Sequence, residues 1–458
     1  MAKFEIHATR SKDGANAIFH YDNMTSELTW ANGTPVLPPP QERNFNTAPK
    51  TSKDNPMGKN SPDTLKISLG LSCNYECEYC SQRFVPRADE ANHSELDNFI
   101  QGLDKWVTKP PSKVEFWGGE PLVYIKTLKP LAEAIKVKYP DADLSIITNG
   151  SLLTKEINDW IEQMGFFIGL SHDGPGQHVR GPDPLDDPVK KAAILDLYKR
   201  LSPKRLMSFN TMMNRQNMSR TAVIKFFVDL TGDPQVPIGE GSLADAYDEG
   251  GHALSLKPEE FGHYRRLMSE EFRTGKLPNF ITVVTKFQRF VDTLYDRRPA
   301  SSVGQKCGMD NPNTMAVDLR GNVLTCQNVS SVATAPNGES HKIGHVSDMQ
   351  SIKLKSATSW NYRDECPKCP MLQICHGSCM YLAGPLWETT CDSAYSDSVP
   401  VFASAIEYLT GYMPFMITGP HRKDRHDLWL RDQKPVEKKP PRRVITITPE
   451  HRIRIDYK

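Results

Sequence analysis

Strand-like and helix-like segments alternate through the middle of the chain, and this order constrains the fold more than any other feature of the sequence. Apolar runs such as LKISLGL and LSIITNG have strand character, and amphipathic segments such as TKEINDWIEQM separate them. The alternation covers residues 65–255. Strands that are separated by helices usually pair in parallel, so the pattern predicts an α/β fold with a parallel sheet or barrel that helices cover.

Short motifs containing cysteine or glycine follow four of the predicted strands. In chain order they are a cysteine triplet, a GGEP string, a TNG turn and an SHDG turn. The carboxyl ends of parallel strands lie at one edge of a sheet or one mouth of a barrel, where functional residues gather. We therefore expect all four motifs to meet at one site.

The cysteine triplet has the spacing of an iron–sulfur site with an open position. Cys73, Cys77 and Cys80 form a C-x3-C-x2-C pattern directly after the first predicted strand. Three thiolates can hold three irons of a [4Fe–4S] cluster, which leaves the fourth iron open to another ligand. An open iron favours chemistry over electron storage, because a substrate or cofactor can bind the metal directly.

This triplet, with the aromatic Tyr79 before its last cysteine, resembles the signature of the radical S-adenosylmethionine (SAM) enzymes. The resemblance implies a partial (β/α)6 TIM-like barrel over residues 65–255, and it places Tyr79 in the SAM site. It also implies that the amino and carboxylate groups of SAM fill the open position. One electron would then cleave SAM to a 5′-deoxyadenosyl radical that abstracts hydrogen.

The same resemblance implies further SAM contacts. Gly118, Gly119 and Glu120 match the string that contacts the methionyl amine. Glycines allow close approach of the backbone to a ligand, and a carboxylate can accept from an ammonium group. Ser171 resembles a serine that contacts the ribose, and Arg180 resembles an arginine that binds the SAM carboxylate. An ordinary surface arginine is the alternative for Arg180.

The other seven cysteines lie between residues 307 and 391 and resemble the SPASM extension of radical SAM enzymes that mature peptides and proteins. They form a C-x13-G-x4-C unit, a C-x2-C-x5-C-x3-C unit and one later cysteine. The resemblance implies two auxiliary [4Fe–4S] clusters, which makes three clusters in all. The implied ligands are a four-cysteine group of Cys366, Cys369, Cys375 and Cys391, and a three-cysteine group of Cys307, Cys326 and Cys379.

The three-cysteine group is one ligand short of a complete set. Asp310 could supply the missing ligand, or the iron could stay open and bind a substrate group. A zinc ion held by the four cysteines of the segment 366–379 is the structural alternative. Zinc would leave Cys307, Cys326 and Cys391 unexplained, and zinc ribbons usually separate their cysteine pairs by a longer stretch.

Turn signals and composition divide the rest of the chain. The expected parts are a small N-terminal β unit at 1–36, a polar linker at 37–64, a helical bridge at 256–304, the SPASM domain at 305–395 and a C-terminal extension at 396–458.

The extension ends in a basic tail, although the net charge of the whole chain is only +1. Residues 421–458 hold 12 Lys and Arg against 6 Asp and Glu. Such a tail can contact nucleic acid or an acidic peptide, and a solvated, partly disordered extension is the alternative.

The chain shows no long apolar run and no apolar core of a secretory signal. We therefore expect a cytoplasmic protein without a membrane partner. In that reducing environment, ten cysteines indicate metal ligands or catalytic thiols before disulfides.

The resemblance implies a peptide or protein substrate and a reductant such as flavodoxin or ferredoxin. Sulfatase maturases carry an aspartate base directly after the second cysteine of the C-x13-G-x4-C unit. Gln327 occupies that position here, which argues against sulfatase maturation. The candidates for a general base are His172, Asp310 and Glu240.

Two other classes of function stay open. The first is radical modification of a nucleotide or a nucleic-acid base, for which the tail offers only Trp429 and Tyr457 as stacking residues. The second is a cluster-bearing electron-transfer or binding protein. The SAM-like motifs at the strand ends argue against this second class.

Overall fold

The structure is a computed structural model that describes residues 3–40, 43–89, 93–431, 444–447 and 453–456. Most of the basic tail, including the run KPVEKKPPRR and the predicted stacking residue Tyr457, lies outside the described residues. Within the ranges that are described, no helix has both the length and the apolar character needed to span a bilayer.

An antiparallel sheet begins the chain. Its first strands are β1 (Lys3–Arg10), β2 (Asn16–Asp22) and β3 (Glu27–Trp30), which pair in sequence order. Alternate residues of β1 are buried, as expected of a strand with one face against a core. The sequence pattern predicts β2 and β3, and β1 is an addition to that prediction.

The predicted alternation of strands and helices is present in the structure. The strands are β4 (Thr64–Ser68), β5 (Lys113–Trp117), β6 (Asp143–Thr148), β7 (Phe167–Ser171) and β8 (Met207–Asn210). The helices between and after them are α1 (Leu96–Trp106), α2 (Ile125–Lys138), α3 (Lys155–Met164), α4 (Pro188–Leu201) and α5 (Arg220–Thr231). The strands pair in parallel from β4 to β8, so the predicted α/β class is confirmed.

The C-terminal half is built mainly of helices and short strands. Its helices are α6 (Glu249–Leu254), α7 (Phe261–Arg273), α8 (Ile281–Tyr295), α9 (Leu372–Cys375) and α10 (Gly384–Thr410). Its strands are β9 (Thr314–Asp318), β10 (Asn322–Leu324), β11 (Lys342–His345), β12 (Tyr412–Thr418), β13 (Val444–Ile447) and β14 (Ile453–Asp456).

Five parallel strands of the sheet, β4 to β8, lie in the region of residues 65–255, whereas the barrel expected there has six strands. Beyond β8 the described residues form isolated parallel bridges instead of a further strand: Leu243 pairs with Met213, and Ile238 pairs with Phe209 and Phe280. Pro234 and Pro237 flank this position and lack the N–H that a strand must donate. The sixth parallel strand is β9, which pairs with β4 at the opposite edge.

Two pairings join distant parts of the chain. β9 comes from the cysteine-rich region and continues the core sheet, which then runs in the order β11-β10-β9-β4-β5-β6-β7-β8. β12 comes from the C-terminal extension and pairs antiparallel with β1. The expected parts of the chain are therefore linked by hydrogen-bonded strands.

Candidate functional site

A cavity of about 410 Å³ opens at the carboxyl ends of the parallel strands. It brings together residues that the sequence analysis assigned to four separate strand ends. Its walls contain the whole cysteine triplet and every predicted SAM contact: Cys73, Cys77, Cys80, Tyr79, Gly118, Gly119, Glu120, Ser171 and Arg180. The strand-end motifs thus meet at one site.

Gly119 allows the GGEP string to pack directly against the cysteine loop. Its N–H donates to the carbonyl of Gly70 at 3.1 Å, and the N–H of Glu120 donates to the carbonyl of Ser72 at 3.0 Å. A Cβ on Gly119 would lie 2.4 Å from the Ser72 oxygen and 2.6 Å from the Leu71 oxygen. Glycine is therefore required here for the contact between these two backbone segments.

The carboxylate of Glu120 is buried and held by three donors. Its Oε1 accepts from Leu122 N at 3.0 Å and Thr148 Oγ1 at 2.7 Å, and its Oε2 accepts from Asn149 N at 2.7 Å. Burial raises the pKa of Glu120, and these hydrogen bonds offset only part of the shift. A carboxylate oxygen can accept two hydrogen bonds, so Oε2 retains capacity for an ammonium group.

Arg180 is a cation inside a buried polar chain rather than a surface arginine. Its Nη1 donates to the Tyr79 hydroxyl at 2.6 Å and lies 3.5 Å from Asp173 Oδ1. The Tyr79 hydroxyl donates to Asp173 Oδ2 at 2.5 Å. Burial lowers the pKa of Arg180, but Tyr79 and Asp173 outweigh that effect and raise it. Among the described residues, the buried Nε of Arg180 has no hydrogen-bond partner, which leaves a donor for a ligand.

Sequence reasoning missed Asp173, which holds Tyr79 and Arg180 in place, and the cavity residues Asp245 and Tyr247. Asp173 stands in the SHDG turn, and its place at a strand end was a usable signal. Asp245 and Tyr247 follow the proline-rich edge of the sheet, where no motif marks them. The Tyr247 hydroxyl donates to Asp245 Oδ2 at 3.4 Å, and Lys306 Nζ lies 3.8 Å from the same oxygen.

Tyr247 connects the cavity to the three-cysteine group. Burial raises the pKa of Tyr247 well above its usual value, and the nearby charge of Cys379 is the next largest cause. Cys326 and Cys307 contribute as well. Tyr247 lines the cavity and packs against the same apolar cluster as Cys379, so it lies between the cavity and the second cysteine region.

The C-terminal cysteines lie near one another in the structure. In the four-cysteine group, burial raises the thiol pKa of Cys366, and the charges of the other three members raise it further. These four cysteines also line one small cavity. In the three-cysteine group, burial raises the pKa of Cys326 to about 11, and the charge of Cys379 adds to the shift. Such thiols stay protonated until a metal replaces the proton, so both groups fit metal ligation.

In the described part of the chain, no group of three or more His, Cys, Asp and Glu side chains is placed to hold one ion. A zinc ion draws each thiolate to about 2.3 Å from one point, whereas a four-iron cluster spreads its ligands over a larger body. The zinc alternative therefore gains no support from the structure.

Asp310 lies beside the three-cysteine group but already has a structural contact. Its Oδ2 accepts from Gln305 N at 2.8 Å, and burial raises its pKa. Lys59 holds the surrounding loop by donating to three backbone carbonyls, the closest being Met309 at 2.6 Å. The hydrogen bond from Gln305 leaves the Asp310 carboxylate with acceptor capacity, so Asp310 stays a candidate ligand.

The two other candidate bases differ in location. His172 is buried outside the cavity lining, where its Nδ1 accepts from Gly174 N and its Nε2 donates to Asp183 Oδ1, both at 3.0 Å. These contacts occupy both ring nitrogens, so the structure does not place His172 as a catalytic base. Glu240 does line the cavity. Burial raises its pKa, but Lys286 and Lys306 outweigh burial and lower it overall, which makes Glu240 a weak base.

Comparison with known proteins agrees with this geometry. The profile of the Radical SAM superfamily matches residues 67–227. The chain is 24% identical over 348 residues to a cysteine-type anaerobic sulfatase-maturating enzyme of Clostridium perfringens, a match that covers 69% of this chain and 89% of that enzyme. It is also 24% identical over 171 residues to the radical SAM cyclopropyl synthase TigE of Paramaledivibacter caminithermalis, over 33% of this chain and only 35% of TigE.

A solved structure of native anSMEcpe with bound AdoMet and Cp18Cys peptide has the same fold. It superposes with a TM-score of 0.52 at 20% identity and covers 76% of this chain and 98% of that one. The motif residues, their meeting in one cavity and the superfamily match lead to one conclusion. The chain contains a radical SAM domain over residues 67–227 and is a radical SAM enzyme with a cysteine-rich C-terminal extension.

Proposed function

We propose that this enzyme modifies a peptide or protein and holds two auxiliary clusters in its C-terminal region. The observation that supports the proposal is the position of Tyr247, which lines the cavity and packs against the same apolar cluster as Cys379 of the three-cysteine group. A substrate in the cavity would lie between the SAM site and an auxiliary cluster. One relative is a sulfatase-maturating enzyme and the anSMEcpe structure contains a peptide, which supports a polypeptide substrate.

The donor sets suit the proposed cofactors. The triplet would hold the SAM-binding cluster, and the four-cysteine and three-cysteine groups would hold the auxiliary ones. With an electron from a reductant such as flavodoxin or ferredoxin, SAM bound to this cluster would supply a 5′-deoxyadenosyl radical, the group that would abstract hydrogen from the substrate.

The chain's own residues would bind and orient SAM. Oε2 of Glu120 would accept from the SAM ammonium, and Arg180 would donate from its free Nε to the carboxylate. Tyr79 and Asp173 hold the guanidinium of Arg180 in place. Ser171 lines the same cavity, where its hydroxyl would meet the ribose.

The alternatives have weaker support. A nucleic-acid substrate depends on the basic tail, most of which lies outside the described residues. Within the described part of the tail, Arg422 and Arg425 are both engaged by Asp392. Gln327 still argues against sulfatase maturation as the reaction, so another peptide modification is proposed.

Production of 5′-deoxyadenosine tests the substrate class. Anaerobically reconstituted enzyme with dithionite and SAM is challenged separately with a peptide fraction and a nucleic-acid fraction. We expect stimulation by peptide and a mass change on one peptide species. Stimulation by nucleic acid alone would contradict the proposal.

Iron content and cysteine substitution test the cofactors. Three clusters require about 12 iron per chain, and a value near about 4 together with zinc would contradict the auxiliary clusters. Cys73→Ala should abolish SAM cleavage, since it removes a proposed ligand of the SAM-binding cluster. Cys307→Ala should retain uncoupled cleavage but lose product, provided that soluble protein is obtained.

A further inference from the structure

An arginine from the C-terminal extension borders the four-cysteine group. Arg425 lies in the turn after β12 and is only 6% exposed. Its Nη2 donates to Cys391 Sγ at 3.3 Å and also to Asp392 Oδ1. Its guanidinium stacks 4.6 Å from the ring centroid of Tyr395, whose hydroxyl donates to the carbonyl of Arg425 at 2.9 Å. Both the backbone and the guanidinium of Arg425 are therefore fixed.

Asp392 by itself does not balance the buried positive charge of Arg425. Asp392 also accepts from Arg422 Nη1 at 3.1 Å, so one carboxylate faces two guanidinium groups. Arg425 also lines the small cavity that the four cysteines share. This cation is therefore fixed beside the four-cysteine group as well as beside Asp392.

A second arginine lies near the other cysteine group and makes a different kind of contact. The guanidinium of the half-buried Arg363 lies 4.5 Å from the ring centroid of Trp387 and donates to the backbone carbonyls of Cys379 and Leu382. Arg425, in contrast, donates to a cysteine sulfur of the four-cysteine group.

We infer that Arg425 is the counter-cation of an anionic cluster held by the four-cysteine group, and that its N–H donor at Cys391 raises the reduction potential of this cluster. The inference rests on the proposed function. A cluster with four thiolate ligands is anionic and becomes more so when it takes up one electron. A fixed cation and an N–H···S hydrogen bond therefore stabilise the reduced form more than the oxidised form.

No proton transfer at Arg425 is involved, because the guanidinium stays charged in both redox states. The electron comes from dithionite in the test, or from the external reductant in the working enzyme. Arg425 acts through the cluster as a tuning residue. The C-terminal extension then belongs to the electron-transfer machinery, since it supplies this cation.

Redox titration followed by electron paramagnetic resonance tests the inference. The parent protein carries Ala in place of Cys73, Cys77 and Cys80, so that only the auxiliary clusters contribute to the paramagnetic resonance signal. Arg425→Met should shift one of the two auxiliary signals to lower potential and leave the other in place. Arg425→Lys keeps the positive charge but loses the paired N–H donors of the guanidinium, so it should give a smaller shift in reduction potential.

Arg422→Gln is the matched control. It removes one positive charge next to the same carboxylate, but the Arg422 side chain is 44% exposed and its recorded hydrogen bonds go to Asp392 and Asp424 rather than to a cysteine. The reduction potentials of both auxiliary clusters in Arg422→Gln should equal those of the parent protein. Equal shifts in Arg422→Gln and Arg425→Met, or unchanged potentials in Arg425→Met at full iron content, overturn the inference.

Iron content separates this inference from the proposed function. A parent protein with much less than about 8 iron per chain contradicts the auxiliary clusters themselves. If Arg425→Met alone loses iron, recovery of iron in Arg425→Lys supports the counter-cation. Equal iron loss in both Arg425 variants would mean that the packing of Arg425, and not its charge, retains the cluster. That result would overturn the inference.

Discussion

At the scale of the residue, one added methyl group tests the contact between the GGEP string and the cysteine loop. Gly119→Ala would place a Cβ 2.4 Å from the Ser72 carbonyl oxygen, and backbone atoms cannot swing aside as a side chain can. We expect the free energy of unfolding to fall by about 1–3 kcal/mol, as for other overpacked sites. Iron bound by the triplet should fall too. Urea unfolding and iron analysis measure the two effects.

Gly102→Ala is the control for this change. Gly102 lies within α1, and a Cβ there meets no atom within 4 Å. Replacement of a helical glycine by alanine should leave stability unchanged or raise it by about 1 kcal/mol. Similar losses at both glycines would contradict the role given to Gly119.

His421 makes stability depend on pH. It is 9% exposed, and its ring packs edge-on against Phe4 at a centroid distance of 5.5 Å. Burial, followed by the charge of His426, lowers the pKa of His421 to about 4. The unfolded chain, with a histidine pKa of about 6.5, therefore takes up the proton first as the pH falls. The stability that neutral His421 contributes is present above about pH 6.5 and is lost between about pH 6.5 and 4.

Urea unfolding at pH 7 and pH 5 checks this prediction. The wild-type protein should lose more stability over that interval than His421→Leu, which cannot be protonated. His178→Leu alters an exposed histidine and should retain the wild-type dependence. A wild-type slope in His421→Leu would count against the prediction.

At the scale of the element, the N-terminal strands form part of a shared core with the C-terminal extension. Phe19 on β2 is fully buried, with its ring 4.7 Å from Trp30 and 5.9 Å from Tyr412. Phe19→Ala should lower the free energy of unfolding by about 3–5 kcal/mol. Ile18 points to the other face and is 37% exposed, so Ile18→Ala should cost about 1 kcal/mol or less. Equal losses in urea unfolding would show that β2 is not packed on one face.

The sequence predicted local elements better than their long-range partners. The segments around β4 to β8 alternate regularly between strand-like and helix-like hydrophobic patterns, so their type and order could be predicted from the sequence. The pairing of β9 with β4 joins residues about 250 apart, and no local pattern encodes such a register. The same holds for β12 and β1.

The candidate site shows the same division. The triplet, Glu120 and Arg180 could be found because each is part of a short motif. Asp245 and Tyr247 could not, because they reach the cavity from an irregular segment after the sheet edge. The burial of Arg425 was also missed, since charge composition cannot distinguish a buried arginine from a solvated tail.

At the scale of the whole molecule, one carboxylate on α10 joins four helices. Asp397 Oδ1 accepts from Arg220 Nη2 at 2.8 Å and from the Tyr264 hydroxyl at 2.7 Å, and Lys286 Nζ lies 3.2 Å from Oδ2. Asp397→Asn would leave two cations without their counter-charge, so we expect a loss of about 3–5 kcal/mol. Thermal and urea unfolding of the full chain measure it.

Asp229→Asn is the comparison for this loss. Asp229 pairs with Lys225 on the surface of α5, where both side chains are more than half exposed. Exposed pairs of this kind contribute little, so the loss should stay under about 1 kcal/mol. A loss at Asp397 as small as this one would show that the network does not hold the helices together.

The ladder between β9 and β4 limits how this enzyme can be recombined with its relatives. A chimera that exchanges the segment after residue 305 would remove the neighbour of the strand that leads into the cysteine triplet. The recipient would then have an unpaired edge next to its SAM site, and it would be prone to aggregate. A stable chimera must therefore take β4 and β9 from the same parent protein. In natural recombination and in engineering alike, the two cysteine regions must be exchanged together.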